Sequence, residues 1–302
     1  MKISAVISFF ILVFLFTAES RAGTFEVLNH NSLVYQGGVL VVKIHDDLKG
    51  KDLQLFAFDE LHPFNDSGLA FVGIGVDHEP RRYILYLVET SEEKHPQYDF
   101  FYTYVEVLEK DFGMPWYAGP AGRPSKIVQE RRQKEELIKD NAYALADIEA
   151  DYTNGLFIRP LESVEETDSF GSLRLYGSRN RKTKKIKIER KVPHVGVDLR
   201  ARTPLPVLAI NSGKVLLARN FPLRGTEGNM LIIDHGSGII SLYLHLSRFR
   251  VKVGEAVEKG QIVALTGATP RGTPPHLHFM VKIHGVNVDP LEFIEKMNEL
   301  FP

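Results

Sequence analysis

The chain has 302 residues, a formal net charge of -1, 44% hydrophobic and 25% charged residues, and no cysteine. This composition is that of a globular protein rather than a disordered or collagen-like chain, and the length suits two domains. The near-zero net charge excludes a global electrostatic field that would recruit nucleic acid or an anionic membrane. The lack of cysteine excludes disulfides and thiolate metal sites, so His, Asp and Glu are left as metal ligands.

Residues 1–22 have the pattern of a secretory signal peptide. Lys2 precedes the apolar run ISAVISFFILVFLFTA, which is shorter than the roughly 20 residues of a membrane helix, and small residues stand at the cleavage positions that end at Ala22. We therefore expect export to the periplasm, the cell envelope or the medium, with no stable membrane insertion after cleavage. An uncleaved N-terminal anchor is the alternative.

Residues 23–110 have the pattern of a β-sandwich. Runs rich in Val, Ile, Phe and Tyr, such as GVLVVKI and RYILYLVE, are separated by turn residues at intervals of roughly 8–12 residues. They predict an immunoglobulin-like domain, in shape only because there is no Cys pair. We expect its histidines to be ordinary surface or turn residues: His30, His45, His62, His78 and His95.

Residues 111–154 read as a linker with a charged helix. The Gly- and Pro-rich stretch DFGMPWYAGPAGRPS marks a boundary, and Ser125 can cap the helix-forming segment KIVQERRQKEELIKDNAYALADIEA. The charge predicts a solvated connecting helix, with a partner-binding helix as the alternative. Its place before the C-terminal domain suggests the hypothesis that the N-terminal segments shield a functional groove.

Residues 155–302 return to β-forming sequence. Runs such as SFGSLRLYG, PVLAINSGKVLLA and NMLIIDHG follow one another through short Gly-containing turns, with no room for crossover helices. The chain is therefore expected to be mostly β, with a C-terminal antiparallel sheet or sandwich closed by a short helix at PLEFIEKMNELF. The immunoglobulin-like sandwich and the connecting helix precede this domain.

The stretch PPHLHFMVKI places His276 and His278 one residue apart at the start of a strand. On a strand such residues share a face and lie about 6.6 Å apart, which suits one residue binding a metal while the other addresses water or substrate. Pro274 and Pro275 keep the entry extended. In isolation, two such histidines are more often ordinary polar residues.

Two other stretches carry candidate residues. In PHVGVDL, a fully extended chain would separate His194 and Asp198 by about 13 Å, too far to share one ion, so a bend at Gly196 is required. In SLYLHLS, alternation places Tyr243 and His245 on one face. The opposite face, with Leu242, Leu244 and Leu246, is expected in the core, which leaves His245 facing a groove.

The motifs HVGVD, YLHLS and HLH occur in this order, with SFGSLR, PVLAINSGKV and NVDPLEF around them. Together they closely resemble the lysostaphin-type (LytM-domain) zinc endopeptidases of bacterial cell walls, over about residues 169 to 294. The resemblance implies one Zn²⁺ per chain held by His194, Asp198 and His278, with His245 and His276 as the catalytic pair beside it. It also implies hydrolysis of peptidoglycan peptide cross-links, with stem peptides as partners.

The metal chemistry agrees with this resemblance, because three protein ligands leave a fourth zinc position for water. No HExxH motif supplies a glutamate base, so histidines must move the protons, and the sequence leaves open whether His245 or His276 is the general base. Departures from the family are Pro274-Pro275, where Gly-Pro is usual, and Leu244, where a small residue is usual. They concern the groove wall and hence specificity.

The segment SRNRKTKKIKIERK, residues 178–191, holds eight Lys or Arg and one Glu. It reads as a solvated hairpin or as a basic rim that attracts carboxylates of wall peptides; nucleic acid is not expected, because aromatic residues are not interleaved. His235 and His284, at turns, are expected to be structural.

Three functions are compatible with these residues. The first is the wall endopeptidase, favoured because all five functional positions are filled; the second is a non-catalytic LytM-type scaffold that activates other wall hydrolases; the third is proteolysis of a secreted protein. Cross-links through diaminopimelate or through glycine bridges both lie within the family's range. The lack of a wall-binding module or sorting signal at the C-terminus favours a D-Ala–diaminopimelate bond in a Gram-negative periplasm.

Overall fold

The structure is a computed structural model. It describes residues 25–49, 51–89, 102–120, 122, 124–162, 165–180, 182–183, 185–201, 204–223, 227–270 and 274–302. The predicted signal peptide and His95 lie outside the described residues. Neither helix in the described part of the chain is long and apolar enough to cross a bilayer.

The N-terminal part consists of two packed sheets. Among the described residues its strands are β1 (Phe25–Val27), β2 (Leu33–Tyr35), β3 (Val39–Ile44), β4 (Leu53–Ala57), β5 (Glu60–Pro63), β6 (Leu69–Gly73), β7 (Arg82–Glu89) and β8 (Tyr102–Leu108). They pair in the orders β1-β3-β6 and β2-β8-β7-β4-β5. One apolar cluster, with members on both sheets, holds them together. The immunoglobulin-like label for this part stays a prediction.

The C-terminal part is built on one large sheet. After β9 (Trp116–Gly119) and α1 (Lys126–Tyr143), the elements are β10 (Glu166–Asp168), β11 (Leu173–Arg179), β12 (Ile186–Pro193), β13 (Val197–Arg200), β14 (Pro206–Leu208), β15 (Gly213–Phe221), β16 (Gly228–Asp234), β17 (Ile239–Leu246), β18 (Arg248–Phe249), β19 (Ala256–Val257), β20 (Ile262–Leu265), β21 (His276–Ile283), β22 (Val286–Val288) and α2 (Pro290–Leu300). The large sheet has the order β10-β13-β21-β17-β16-β15-β19, with β22 beside β21, and all its pairs are antiparallel. Two three-stranded sheets accompany it, in the orders β12-β11-β9 and β14-β20-β18. The chain is mostly β, as predicted.

The two parts share a core, because β3 is buried on both faces. Leu40 and Val42 belong to the cluster inside the N-terminal sandwich, whereas Val39 and Val41 belong to the cluster that fills the C-terminal domain. Successive side chains of a strand point to opposite faces, so a continuous apolar run is what a strand between two cores requires. The N-terminal part is therefore packed against the C-terminal domain rather than tethered to it.

Polar contacts cross the same boundary. Asn65 donates from Nδ2 to the Ser237 hydroxyl at 2.9 Å, and Lys110 pairs with Asp289 at 3.0 Å. The expectation of a surface or turn residue is wrong for His62, which lies on β5 with 5% of its surface exposed and its ring centroid 6.0 Å from that of His284. Burial lowers the pKa of both imidazoles, to about 4 for His284.

Helix α1 begins where the sequence places its cap, since the Ser125 hydroxyl accepts from the Val128 amide at 3.4 Å. Most of the helix is exposed, but one side of its last turns is buried. Lys139 is 8% exposed, and Ala142 joins an apolar cluster with Leu242 on one face of the large sheet. The prediction of a solvated connecting helix is therefore wrong for this end.

Candidate metal centre and active site

Two of the candidate residues face each other across neighbouring strands. Asp198 on β13 and His278 on β21 are directly opposite in the antiparallel register. Opposite residues of such a pair project to the same face. Oδ1 of Asp198 consequently lies 2.7 Å from Nδ1 of His278.

His194 reaches the same point from the turn that leads into β13. A Cβ added to Gly196 would lie 2.5 Å from the Phe279 carbonyl oxygen and 3.0 Å from Cε1 of His278, so only glycine lets the chain pass this close. Nδ1 of the buried His194 lies 3.0 Å from the Ser169 carbonyl oxygen. Because a carbonyl can only accept, Nδ1 carries the proton and Nε2 of the neutral ring keeps its lone pair.

The three side chains present a compact set of donor atoms. Nε2 of His194 lies 3.0 Å from Nδ1 of His278 and 3.3 Å from Oδ1 of Asp198, and the remaining edge of the triangle is the 2.7 Å contact. Donors at tetrahedral positions around Zn²⁺ are separated by about 3.3 Å, given bonds of about 2.0–2.1 Å. Two imidazoles and one carboxylate at this spacing fit a zinc ion.

The charge of Asp198 suits such a site. Burial by itself raises the pKa of this carboxyl group, but hydrogen bonds with His194 and His278 outweigh that effect and hold the pKa well below its usual range. The carboxylate is therefore ionised throughout the physiological range of pH, as a metal ligand must be.

His276 and His245 lie beside this triangle. The His276 ring centroid is 4.7 Å from that of His245, and Nε2 of His276 is 3.8 Å from Oδ1 of Asp198. Nδ1 of His245 lies 2.7 Å from the Thr269 carbonyl oxygen, and Nδ1 of His276 lies 2.8 Å from the Pro274 carbonyl oxygen. In the neutral form of each ring, Nδ1 therefore carries the hydrogen and Nε2 can accept a proton.

The environment of His245 keeps it neutral. Burial, together with the neighbouring rings of His276 and His278, lowers its pKa to about 4. A neutral imidazole at physiological pH can act as a general base.

The predicted alternation in β17 fails at His245. Its φ of +63° lies in the left-handed region, so its side chain does not continue the alternation of the strand. Tyr243 is fully buried in the main core, and Leu244, expected on the face away from the site, pairs directly with His278 and shares its face. Both faces of the large sheet are covered by other parts of the protein. A pattern of alternating buried and exposed residues does not predict such an arrangement.

Arg174 is a site residue that the sequence reasoning missed. From β11 it donates through Nη2 to Oδ2 of Asp198 at 3.0 Å and through Nε to Asp168 at 2.9 Å. Oδ2 of Asp198, which lies outside the donor triangle, therefore accepts a hydrogen bond from Arg174. This contact orients Oδ1 towards the histidines. Arg174 stands within SFGSLR, but nothing in that stretch by itself indicates the contact.

The other two histidines singled out in this domain lie in structural contacts. His235 is fully buried, with Nδ1 2.8 Å from the Ser212 carbonyl oxygen and Nε2 2.8 Å from the Ser241 hydroxyl. His284 lies at the boundary with the N-terminal part, in contact with His62.

Gly196→Ala is expected to lower the free energy of unfolding by about 1–3 kcal/mol, because the new methyl group meets a backbone oxygen that cannot move without disturbing the β13–β21 pairing. Gly122→Ala is the matched control, since a Cβ there meets nothing within 4 Å. Urea unfolding of both variants measures the difference. Equal midpoints would show that the close approach at Gly196 is not needed.

Comparison with known proteins finds a family match over this site. Residues 192–290, which include all five candidate residues, match the sequence model of peptidase family M23. The chain is 43% identical over 103 residues to the peptidoglycan DD-endopeptidase ShyB of Vibrio cholerae, covering 34% of this chain and 24% of that protein. It is 36% identical over 107 residues to lysostaphin of Staphylococcus staphylolyticus, covering 34% and 22%. These matches confirm the resemblance inferred from the motifs, although each spans less than a quarter of the relative's length.

The fold has a counterpart among solved structures. A putative peptidase M23 from Pseudomonas aeruginosa aligns with a TM-score of 0.59 and 23% identity, over 86% of this chain and 94% of that chain. At this identity the likeness concerns the fold alone. The aligned region extends well beyond residues 192–290.

Proposed function

We propose that the protein is a zinc-dependent endopeptidase that hydrolyses peptide cross-links of bacterial peptidoglycan, because residues 192–290 match the sequence model of peptidase family M23. The observation that carries the proposal is the triangle of donor atoms from His194, Asp198 and His278, with two further histidines beside it. A purely structural cluster does not require two further histidines at its edge.

His194, Asp198 and His278 would hold the ion. When bound, Zn²⁺ would polarise the scissile carbonyl group and lower the pKa of a water molecule towards about 7. The buried ring of His194 and the carboxylate of Asp198 are already oriented by Ser169 and Arg174, so little reorganisation accompanies binding.

His245 and His276 would move the protons. Either Nε2 can accept the proton of the attacking water, and the resulting imidazolium can return it to the leaving amine nitrogen as the peptide bond breaks. Once Nε2 of the other histidine is protonated, that ring can donate a hydrogen bond to the oxyanion. The low pKa of His245 leaves its ring unprotonated at neutral pH, as an accepting role requires.

The substrate proposal draws on the relatives and on charge. ShyB is named for DD-endopeptidase activity on peptidoglycan, which favours the D-Ala–diaminopimelate bond here. Beside the site, the hairpin β11–β12 projects cations for which no carboxylate partner is found in the described part of the chain: Arg179, Lys182, Lys185, Lys187, Arg190 and Lys191. Such a surface attracts the carboxylates of stem peptides. Action on the wall also fits the proposed export of the chain.

The test is metal analysis combined with fragment analysis. The mature protein would be assayed for bound zinc and then incubated with purified peptidoglycan, whose soluble fragments are identified by mass, before chelation, after chelation and after zinc is restored. One zinc per chain and zinc-dependent loss of cross-linked dimers are expected, and the fragments name the bond. Neither zinc nor any change in fragments would favour the non-catalytic scaffold, and cleavage of secreted proteins alone would favour a protease of another substrate class.

A further inference from the structure

We propose that Lys139 of helix α1 is a positioning residue for His245, acting through Glu227. The inference rests on the proposed catalytic role of His245. It makes the helix that precedes the catalytic domain a part of the active-site framework.

The first link is a buried ion pair between the helix and the domain. Nζ of Lys139 lies 2.6 Å from Oε1 of Glu227 and 2.7 Å from Oε2 of Glu136, although the residue is only 8% exposed. Burial alone would lower the pKa of this ammonium group, but the two carboxylates outweigh burial and raise it, so Lys139 stays charged. A charge withdrawn from water to this extent is maintained only by its partners, and losing one is strongly destabilising locally.

The second link joins Glu227 to His245. The main-chain carbonyl of Glu227 accepts from the His245 amide at 3.0 Å. His245 has the left-handed φ of +63°, and a residue with a Cβ keeps such a conformation only where its surroundings impose it. Here two contacts impose it: the Glu227 carbonyl holds the main chain, and the Thr269 carbonyl holds the ring at 2.7 Å.

The third observation is that these two acceptors belong to one rigid unit. Gly228 follows Glu227 directly, and a Cβ there would lie 2.2 Å from the Thr269 carbonyl oxygen. The Asn229 amide donates to the Thr269 hydroxyl at 2.9 Å. A displacement of Glu227 would therefore be passed to both carbonyls that hold His245. Small misplacements of catalytic groups lower rates steeply.

The test uses the full mature chain with Lys139→Met, which keeps the length of the side chain and removes its charge. Lys134→Met, on the exposed side of the same helix, is the matched control, and Lys139→Arg should restore function by keeping the charge. For Lys139→Met we expect kcat to fall by about tenfold or more, with KM and zinc content unchanged. We also expect the His245 amide to exchange its hydrogen faster, as followed by NMR.

A merely structural role for Lys139 predicts something different. It would lower the melting temperature but leave kcat and the His245 exchange rate equal to those of Lys134→Met at temperatures where both variants are folded, and that result would overturn the proposal. Should Lys139→Met not fold, Glu227→Gln removes the same ion pair while keeping the carbonyl that holds His245, and the same two effects are expected.

The exchange measurement also separates this inference from the proposed function. If the wild-type protein cleaves no cross-links, the proposed function fails, but the His245 amide still reports whether Lys139 holds that residue in place. Conversely, an active wild-type enzyme whose His245 exchange is unaffected by both substitutions would retain its function and refute the link.

Discussion

Replacing His278 by alanine is expected to prevent zinc binding and to lower the rate of cross-link hydrolysis by at least about a hundredfold. Removing a group that only supports a metal ligand already costs about 10–100-fold, and His278 is itself a proposed ligand. Nδ1 of His278 forms the two shortest edges of the triangle, 3.0 Å to Nε2 of His194 and 2.7 Å to Oδ1 of Asp198. Without it, two donors remain, which is fewer than the three that catalytic zinc sites use.

Zinc content by elemental analysis and the rate of loss of cross-linked dimers measure the two parts of this expectation. His30→Ala is the control, because His30 is exposed and lies on the N-terminal part. Circular dichroism would establish that the His278 variant is folded. A folded variant that keeps stoichiometric zinc and wild-type turnover would remove His278 from the metal site.

His245→Ala is expected to leave zinc bound while kcat falls by about 10²–10⁴-fold, the range that general acid–base catalysis contributes. The reason is geometric: its ring is 4.7 Å from His276 and 6.0 Å from His278 by centroids, close enough to serve the same reacting group without belonging to the donor triangle. Retention of zinc is what distinguishes this variant from His278→Ala.

His276→Ala is the informative companion variant. If one histidine is the base and the other stabilises the oxyanion, the losses in kcat of the two single variants should differ. Because the two rings act together, the loss in the double variant, expressed as activation free energy, should be smaller than the sum of the two single losses. Turnover with zinc measured in the same samples decides this. Unchanged kcat in His245→Ala would exclude this histidine from the chemistry.

The N-terminal part packs against the C-terminal domain through a shared core and polar contacts. Its described contacts with that domain include Asn65 with Ser237, Lys110 with Asp289, and the shared core around β3. Along β21, His278 and Ile283 are five residues apart, or about 17 Å, and the β21–β22 turn that meets the N-terminal part lies beyond Ile283. These contacts stabilise the domain from the end of β21 opposite to the histidines.

Several features were predictable from the sequence because they depend on local patterns. The strands follow from apolar runs between turn residues, the cap of α1 from Ser125, and the family from HVGVD, YLHLS and HLH. The need for a close bend at Gly196 also follows from the sequence, since His194 and Asp198 cannot otherwise approach. The structure brings these residues together, and their roles at the metal remain proposals.

Other features were decided by contacts between residues far apart in the chain. His62 is buried where β5 meets the turn at His284. Arg174 becomes a site residue because its side chain reaches from β11, in another sheet, to Asp198 on β13. His245 leaves the alternation of β17 because Glu227 and Thr269 hold it at a positive φ. Periodicity reports which face of a single strand is apolar, whereas these positions depend on how two sheets and a helix enclose that strand from both sides.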